Sequence, residues 1–138
     1  MHRAIVDTGP LVALLSARDT HHQWARSSFA TIAPPGITCE AVLAKAWHLL
    51  RGTARGQSAL LELLAAGTIT IEFGLMNELA AIRRLVARYH DRPMSLADAC
   101  LVRLAELYDE AAVITLNRDF AVYRKNGRQV IPLISPFA

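Results

Sequence analysis

Short, unbroken apolar runs alternate along this chain with longer stretches in which apolar residues recur every three or four positions. The first kind comprises residues 3–7 (Arg-Ala-Ile-Val-Asp), Gly36-Ile37-Thr38, Thr68-Ile69-Thr70-Ile71-Glu72-Phe73, Ala112-Val113-Ile114-Thr115 and Val130-Ile131-Pro132-Leu133-Ile134. Such runs read as strands, most clearly 68–73 with its β-branched content. Helices are expected between them. Pro10 suits the first helical position after Asp7, with Gly9 or Thr8 as cap and Leu11, Leu14 and Leu15 on the inner face. His22 to Ile32 follows, with Trp24, Phe29 and Ile32 inward, and Pro34-Pro35-Gly36 stops it. From Cys39 or Glu40 to Leu50, helical spacing links Val42, Leu43, Ala46, Trp47 and Leu50. Gln57–Ala66 ends at Gly67, a suitable C-cap. Leu75–His90 places Leu79, Ile82, Leu85, Val86 and Tyr89 inward and Arg83, Arg84 and Arg88 toward water. Ser95 caps a helix to about Tyr108, and Asp119–Lys125 reads as a short one. This alternation predicts a parallel sheet with right-handed crossovers.

The 138 residues suit one domain, residues 1–138, and a 53% hydrophobic content supplies a buried core. No repeat, linker or low-complexity tract interrupts it, and no apolar run approaches the roughly 20 residues that span a bilayer. The start, Met1-His2-Arg3-Ala4-Ile5-Val6-Asp7, has an acid where a secretion signal would continue its apolar stretch. A soluble, cytoplasmic protein without membrane contact is therefore expected. Cys39 and Cys100 read as small buried hydrophobes beside the candidate site, too few for a disulfide framework. A net charge of +3 is compatible with nucleic acid without being diagnostic.

Four acids change the picture. Asp7, Glu40, Asp98 and Asp119 each stand where a strand should hand over to a helix or where a helix begins. Each has a local role open to it. Asp7 can cap a helix or turn. Glu40 can serve a helix dipole, its nearest base being Lys45 at a poor spacing of five. Asp98 can close a capping box with Ser95, and Asp119 can sit in an Asx turn made by Asn117. All four together are better explained by a shared edge. In a parallel sheet the strand carboxyl ends lie side by side and ligands bind there. Carboxylates gathered at that edge repel unless a divalent cation lies between them, and such a cation is the usual equipment for phosphodiester chemistry. No Gly-rich phosphate loop is present, and the histidines lack metal-ligand spacing. Haloacid-dehalogenase-like phosphatases need a second Asp where Gly9 stands, and the acid pair of receiver domains is missing.

With these residues in place the chain resembles PIN-domain proteins, and more narrowly the VapC-type ribonuclease toxins of toxin–antitoxin pairs. The likeness rests on Ile5-Val6-Asp7-Thr8-Gly9-Pro10-Leu11-Val12-Ala13-Leu14, Thr38-Cys39-Glu40, Leu96-Ala97-Asp98-Ala99 and Thr115-Leu116-Asn117-Arg118-Asp119-Phe120. It implies a three-layer α/β/α sandwich with a central parallel sheet of four or five strands. It also implies a Mg2+- or Mn2+-dependent endoribonuclease that leaves a 5′-phosphate and a 3′-hydroxyl, with one ion or two. Asp7, Asp98 and Asp119 are the implied metal ligands, and Glu40 completes the shell or orients the attacking water. Thr8, Thr115, Asn117 and Arg118 are the candidates to orient substrate. Implied partners are RNA, an antitoxin protein and a second copy of the chain. Asn117 departs from the family's usual acid, which removes a negative charge and keeps open an alternative: a catalytically weakened module that binds RNA or a protein without cutting. A phosphatase is the third option. Arg51, Arg55, Arg118 and Arg124 lie nearest the acids in sequence, and no aromatic-rich platform for stacking single strands is visible.

Overall fold

Ala4, Ile5 and Val6 have no solvent-accessible surface and form the central strand β1 (Ala4–Val6) of a five-stranded sheet. The computed structural model describes residues 3–137, so the reading of the Met1-His2 start lies outside the described residues. In chain order β1 is followed by α1 (Thr8–Leu15), α2 (His22–Phe29), β2 (Gly36–Thr38), α3 (Glu40–Leu49), α4 (Gly56–Ala65), β3 (Ile69–Ile71), α5 (Leu79–Arg88), α6 (Leu96–Leu107) and β4 (Ala112–Ile114). A 3-10 turn (Arg118–Ala121), the hairpin of β5 (Arg124–Lys125) and β6 (Gln129–Val130), and β7 (Leu133–Ile134) complete it.

The sheet runs β3-β2-β1-β4-β7, all parallel, with Ile5 opposite both Ile37 and Val113. Strands buried on both faces must be continuously apolar, which is why the runs lack alternation. Helices cover both faces and give the three-layer α/β/α sandwich. Ile5, Leu11, Ile37, Leu101 and Ile114 are fully buried, each side chain contributing about 1.5–3 kcal/mol of transfer free energy. The topology positions a site: β2 and β3 extend one way from β1, while β4 and β7 extend the other. Strand order therefore reverses between β1 and β4, and a crevice opens at their carboxyl ends.

Several expected details differ. The α1 cap is Asp7 itself, with Pro10 the third helical residue: Asp7 has extended backbone and its carboxylate accepts from the Thr8 amide, whereas Thr8 and Gly9 are already helical. Trp47 is 42% exposed, because the buried stripe of α3 passes through Val42 and Ala46 to Leu50 and leaves it one step around. Helix α5 begins at Leu79 rather than Leu75. Its buried stripe is Ala81, Ile82, Leu85 and Tyr89, with Leu79 and Val86 exposed on the flank. The expected helix 119–125 is a single 3-10 turn. The following hairpin bends through positive φ at Asn126 (51°) and Gly127 (82°), the dipeptide best suited to that conformation. No helix among the described residues is long and apolar enough to cross a membrane.

Candidate active site

Asp7 closes β1 and opens α1, and its carboxylate is held at both oxygens. Oδ1 accepts from the Thr8 amide at 2.7 Å and Oδ2 from the Thr115 hydroxyl at 2.7 Å. Thr115 follows β4, and its Oγ1 in turn accepts from the Asn117 amide at 2.9 Å. The two central strands are thus joined at their carboxyl ends by one acid. Asp7 is 7% exposed. Burial raises its pKa above the ordinary carboxylate value, the bonds from Thr115 and Thr8 oppose that, nearby Asp98 raises it further and Lys45 lowers it.

Asp98, also 7% exposed, is the third residue of α6 and completes the capping box: Ser95 Oγ accepts from the Asp98 amide at 3.0 Å, and Asp98 Oδ2 from the Ser95 amide at 3.4 Å. The local role and the site role coincide, since the same carboxylate accepts from the Tyr123 hydroxyl at 3.0 Å. Tyr123 is buried between Phe120 and Tyr89, whose rings meet it edge-on at 5.3 and 5.1 Å. Burial and then the Asp98 charge push its phenol above the ordinary value, so it stays a donor.

Asp7 and Asp98 share a cavity of about 290 Å³ with Thr8, Gly9, Lys45, Leu49, Leu116 and Asn117. Gly9 packs closely at this wall: a Cβ there would lie 3.2 Å from the Leu116 side chain, which would have to give by a few tenths of an ångström. Glu40, first residue of α3, is exposed and outside the lining. Lys45 and Leu49, one turn apart, are the α3 residues that line it; Glu40 lies about 140° around the helix from Lys45. Asp119 also lies outside the lining. Its amide donates to Asn117 Oδ1 at 3.0 Å, the Asx turn, and its carboxylate faces Arg92 at 3.6 Å. Asn117 itself lines the cavity, whereas Arg118 does not. Cys39 and Cys100 are buried outside that lining, where their mutual contact and burial push the Cys100 thiol up.

Two neighbouring carboxylates, one with a raised pKa, and the buried Thr8 hydroxyl without any partner among the described residues form an oxygen-rich donor set. That set fits a hard divalent cation, which prefers carboxylate, hydroxyl and water oxygens. Among the described residues no three His, Cys, Asp or Glu side chains converge as a ready-made metal cluster. Lys45 is the cationic side chain of this lining. Sequence reasoning treated Lys45 only as a poor partner for Glu40 and passed over Tyr123. Lys45 and Leu49 at i, i+4 were a readable signal, whereas Tyr123 meets Asp98 only through tertiary structure.

A parallel α/β/α sandwich with an acid pair in the crevice between β1 and β4 belongs to the class of α/β folds whose ligands bind at the strand carboxyl ends. The PIN-domain family model matches residues 4–126, and the chain belongs to that family. It is similar to the ribonuclease VapC26 of Mycobacterium tuberculosis (strain ATCC 25618 / H37Rv), 28% identical over 126 residues that cover 89% of this chain and 93% of the relative. Its fold is similar to the crystal structure of Mycobacterium tuberculosis VapC20, described as a Sarcin-Ricin loop cleaving toxin. The TM-score is 0.76 at 22% identity, over 86% of this chain and 93% of that one.

Proposed function

We propose that this chain is an endoribonuclease of the VapC kind, hydrolysing RNA phosphodiesters with Mg2+ or Mn2+ as cofactor. The carrying observation is the pairing of Asp7 and Asp98 beside the unpartnered Thr8 hydroxyl in one crevice. Asp7, Asp98 and Thr8 are the residues that would hold the cation. When bound, it activates water as a nucleophile and neutralises charge on phosphoryl oxygens. The protein supplies placement. Thr115 and the Thr8 amide fix the Asp7 carboxylate, while Tyr123 and Ser95 fix that of Asp98, so neither acid must reorganise as charge develops. Lys45 stands in the cavity to meet a phosphoryl oxygen, and Asn117 offers an amide. Asp119 adds negative charge on the Asp98 side through its field at Tyr123. Glu40 has the least support of the four acids, being outside the lining.

The naming of VapC26 as a ribonuclease supports an RNA substrate, and that of VapC20 as a Sarcin-Ricin loop cleaving toxin supports a toxin role. An antitoxin partner, a homodimer and a cytoplasmic location follow from the same reading. The test is cleavage of a structured RNA with and without Mg2+ or Mn2+, in the native protein and in Asp7→Asn and Asp98→Asn. Metal-dependent cleavage lost in both variants is expected, and undiminished cleavage by either would refute the assignment. A small adjacent reading frame encoding a DNA-binding protein that co-purifies with this chain would carry the toxin role.

A second reading, a module that binds RNA or a protein without cutting it, is favoured by Lys45 and Asn117. They leave the lining with two carboxylates against one ammonium. It predicts RNA binding with no cleavage at any divalent concentration.

A further inference from the structure

A second cavity, about 400 Å³, adjoins the acid pair, with Leu116 lining both. Its other walls are His21, Arg118, Pro136 and Phe137. These residues come from opposite ends of the chain. His21 precedes α2, Leu116 and Arg118 follow β4, and Pro136-Phe137 follow β7. Since β4 and β7 are parallel neighbours, their carboxyl ends continue the edge on which Asp7 lies. The Arg118 guanidinium lies over the Phe137 ring at 4.8 Å from its centroid. Arg118 is exposed and has no ion pair among the described residues, so its N–H donors remain open to a ligand. The His21 ring is braced edge-on against Trp24 at 6.5 Å.

We infer that this cavity is a nucleotide subsite: it takes the ribonucleotide next to the scissile phosphate, its base against Phe137 and His21 and its phosphate on Arg118. This rests on the ribonuclease reading for the identity of the neighbouring cavity. The chemistry fits single-stranded nucleic acid. An aromatic face and a guanidinium plane stack an unpaired base of any identity, and the fork of N–H donors on Arg118 matches phosphate oxygens. A protein ligand would need no such alternation of ring and cation beside a carboxylate pair. The apolar wall at Leu116 separates stacking from hydrolysis, so a base in the second cavity leaves the adjoining phosphate over Asp7 and Asp98.

The experiment is fluorescence anisotropy of a labelled single-stranded hexaribonucleotide without divalent cation, alongside cleavage of the same oligomer with Mn2+. Native protein, Phe137→Ala, Arg118→Ala, Arg118→Lys and a distant control, Arg83→Ala, are compared. Phe137→Ala is expected to weaken binding about 5- to 150-fold, the loss typical of one stacked base. Arg118→Ala should weaken it and flatten the log–log salt dependence by about 0.7, one phosphate contact on a single strand. Arg118→Lys should restore the salt slope without restoring full affinity, because an ammonium keeps the charge and loses the plane. In cleavage, the variants should raise KM with little change in kcat. Native affinity in both Phe137→Ala and Arg118→Ala, or losses matched by Arg83→Ala, would overturn the subsite. Native protein that binds the oligomer through these residues and never cuts it would overturn the nuclease reading and leave the subsite standing.

Discussion

Asp7 couples stability to chemistry. Burial raises its folded pKa above the unfolded value of about 3.9, so the group favours folding most when protonated. Its contribution is full below the unfolded pKa and is lost as pH rises through the folded one. Without divalent cation, Asp7→Asn removes that loss while its amide oxygen can still cap Thr8. The Tm of the variant minus that of the native protein should therefore be smallest near pH 4 and grow toward pH 7, as read by thermal melts across that range. Adding Mg2+ should raise the native Tm and leave the variant's unchanged. Lys45 gives the complementary case. It is the cation that lowers the Asp7 pKa, so it competes with a metal for the same carboxylate. Lys45→Gln should tighten Mn2+ binding several-fold by calorimetry, and weaker binding in that variant would show that Lys45 assists the metal instead.

At the scale of elements, β1 and β2 meet closely at Gly36. A Cβ on Gly36 would sit 2.9 Å from Val6 Cγ2 of the neighbouring strand, closer than side chains pack. Gly36→Ala should thus cost about 1–3 kcal/mol in urea unfolding, as overpacking does, and shift the end of β2. Tyr123→Phe tests the link from the 3-10 turn to α6. Removing the Tyr123 hydroxyl that donates to Asp98 should cost about 1.5–3 kcal/mol, the range for hydrogen bonds to charged groups, and lower cleavage in parallel. Strands β1 to β4 and most helices were legible in the sequence because burial on two faces demands unbroken apolar runs, as was the placing of Asp7 and Asp98 at one edge because each ends or starts such an element, whereas the run 130–134 divides between β6 and β7. Residues 119–134 were harder. The β5–β6 hairpin is two residues per strand, too short for periodicity, although Asn126-Gly127 announced it. Helix α3 is legible only in part: the acid at its first turn, expected to complete a metal shell or orient water, stands outside the lining, and the helix turns Lys45 and Leu49 to the cavity.

Across the whole molecule, basic side chains line several cavities, and two of these cavities decide where RNA should run. Lys45 and Arg118 line the two cavities joined at Leu116. Arg84, Arg88 and Arg103 line a third, of about 340 Å³, with Glu106, Asn126 and Gly127, and this cavity shares no residue with the other two. Arg103 there is already bound by Glu78 at 2.7 Å and Glu106 at 3.0 Å, which anchors α5 to α6 and cancels its charge. A net charge of +3 is too small to steer RNA over the whole surface, so local placement decides binding. Substituting both Arg84 and Arg88 by Ala should leave KM for a short single-stranded RNA within about twofold, since surface charges beyond a Debye length of about 8 Å are largely screened at physiological salt. The same double variant measured at low salt should slow association, because steering reaches further there. A loss of cleavage at physiological salt as large as that from Arg118→Ala would instead place the RNA path over α5 and away from the carboxyl edge of the sheet.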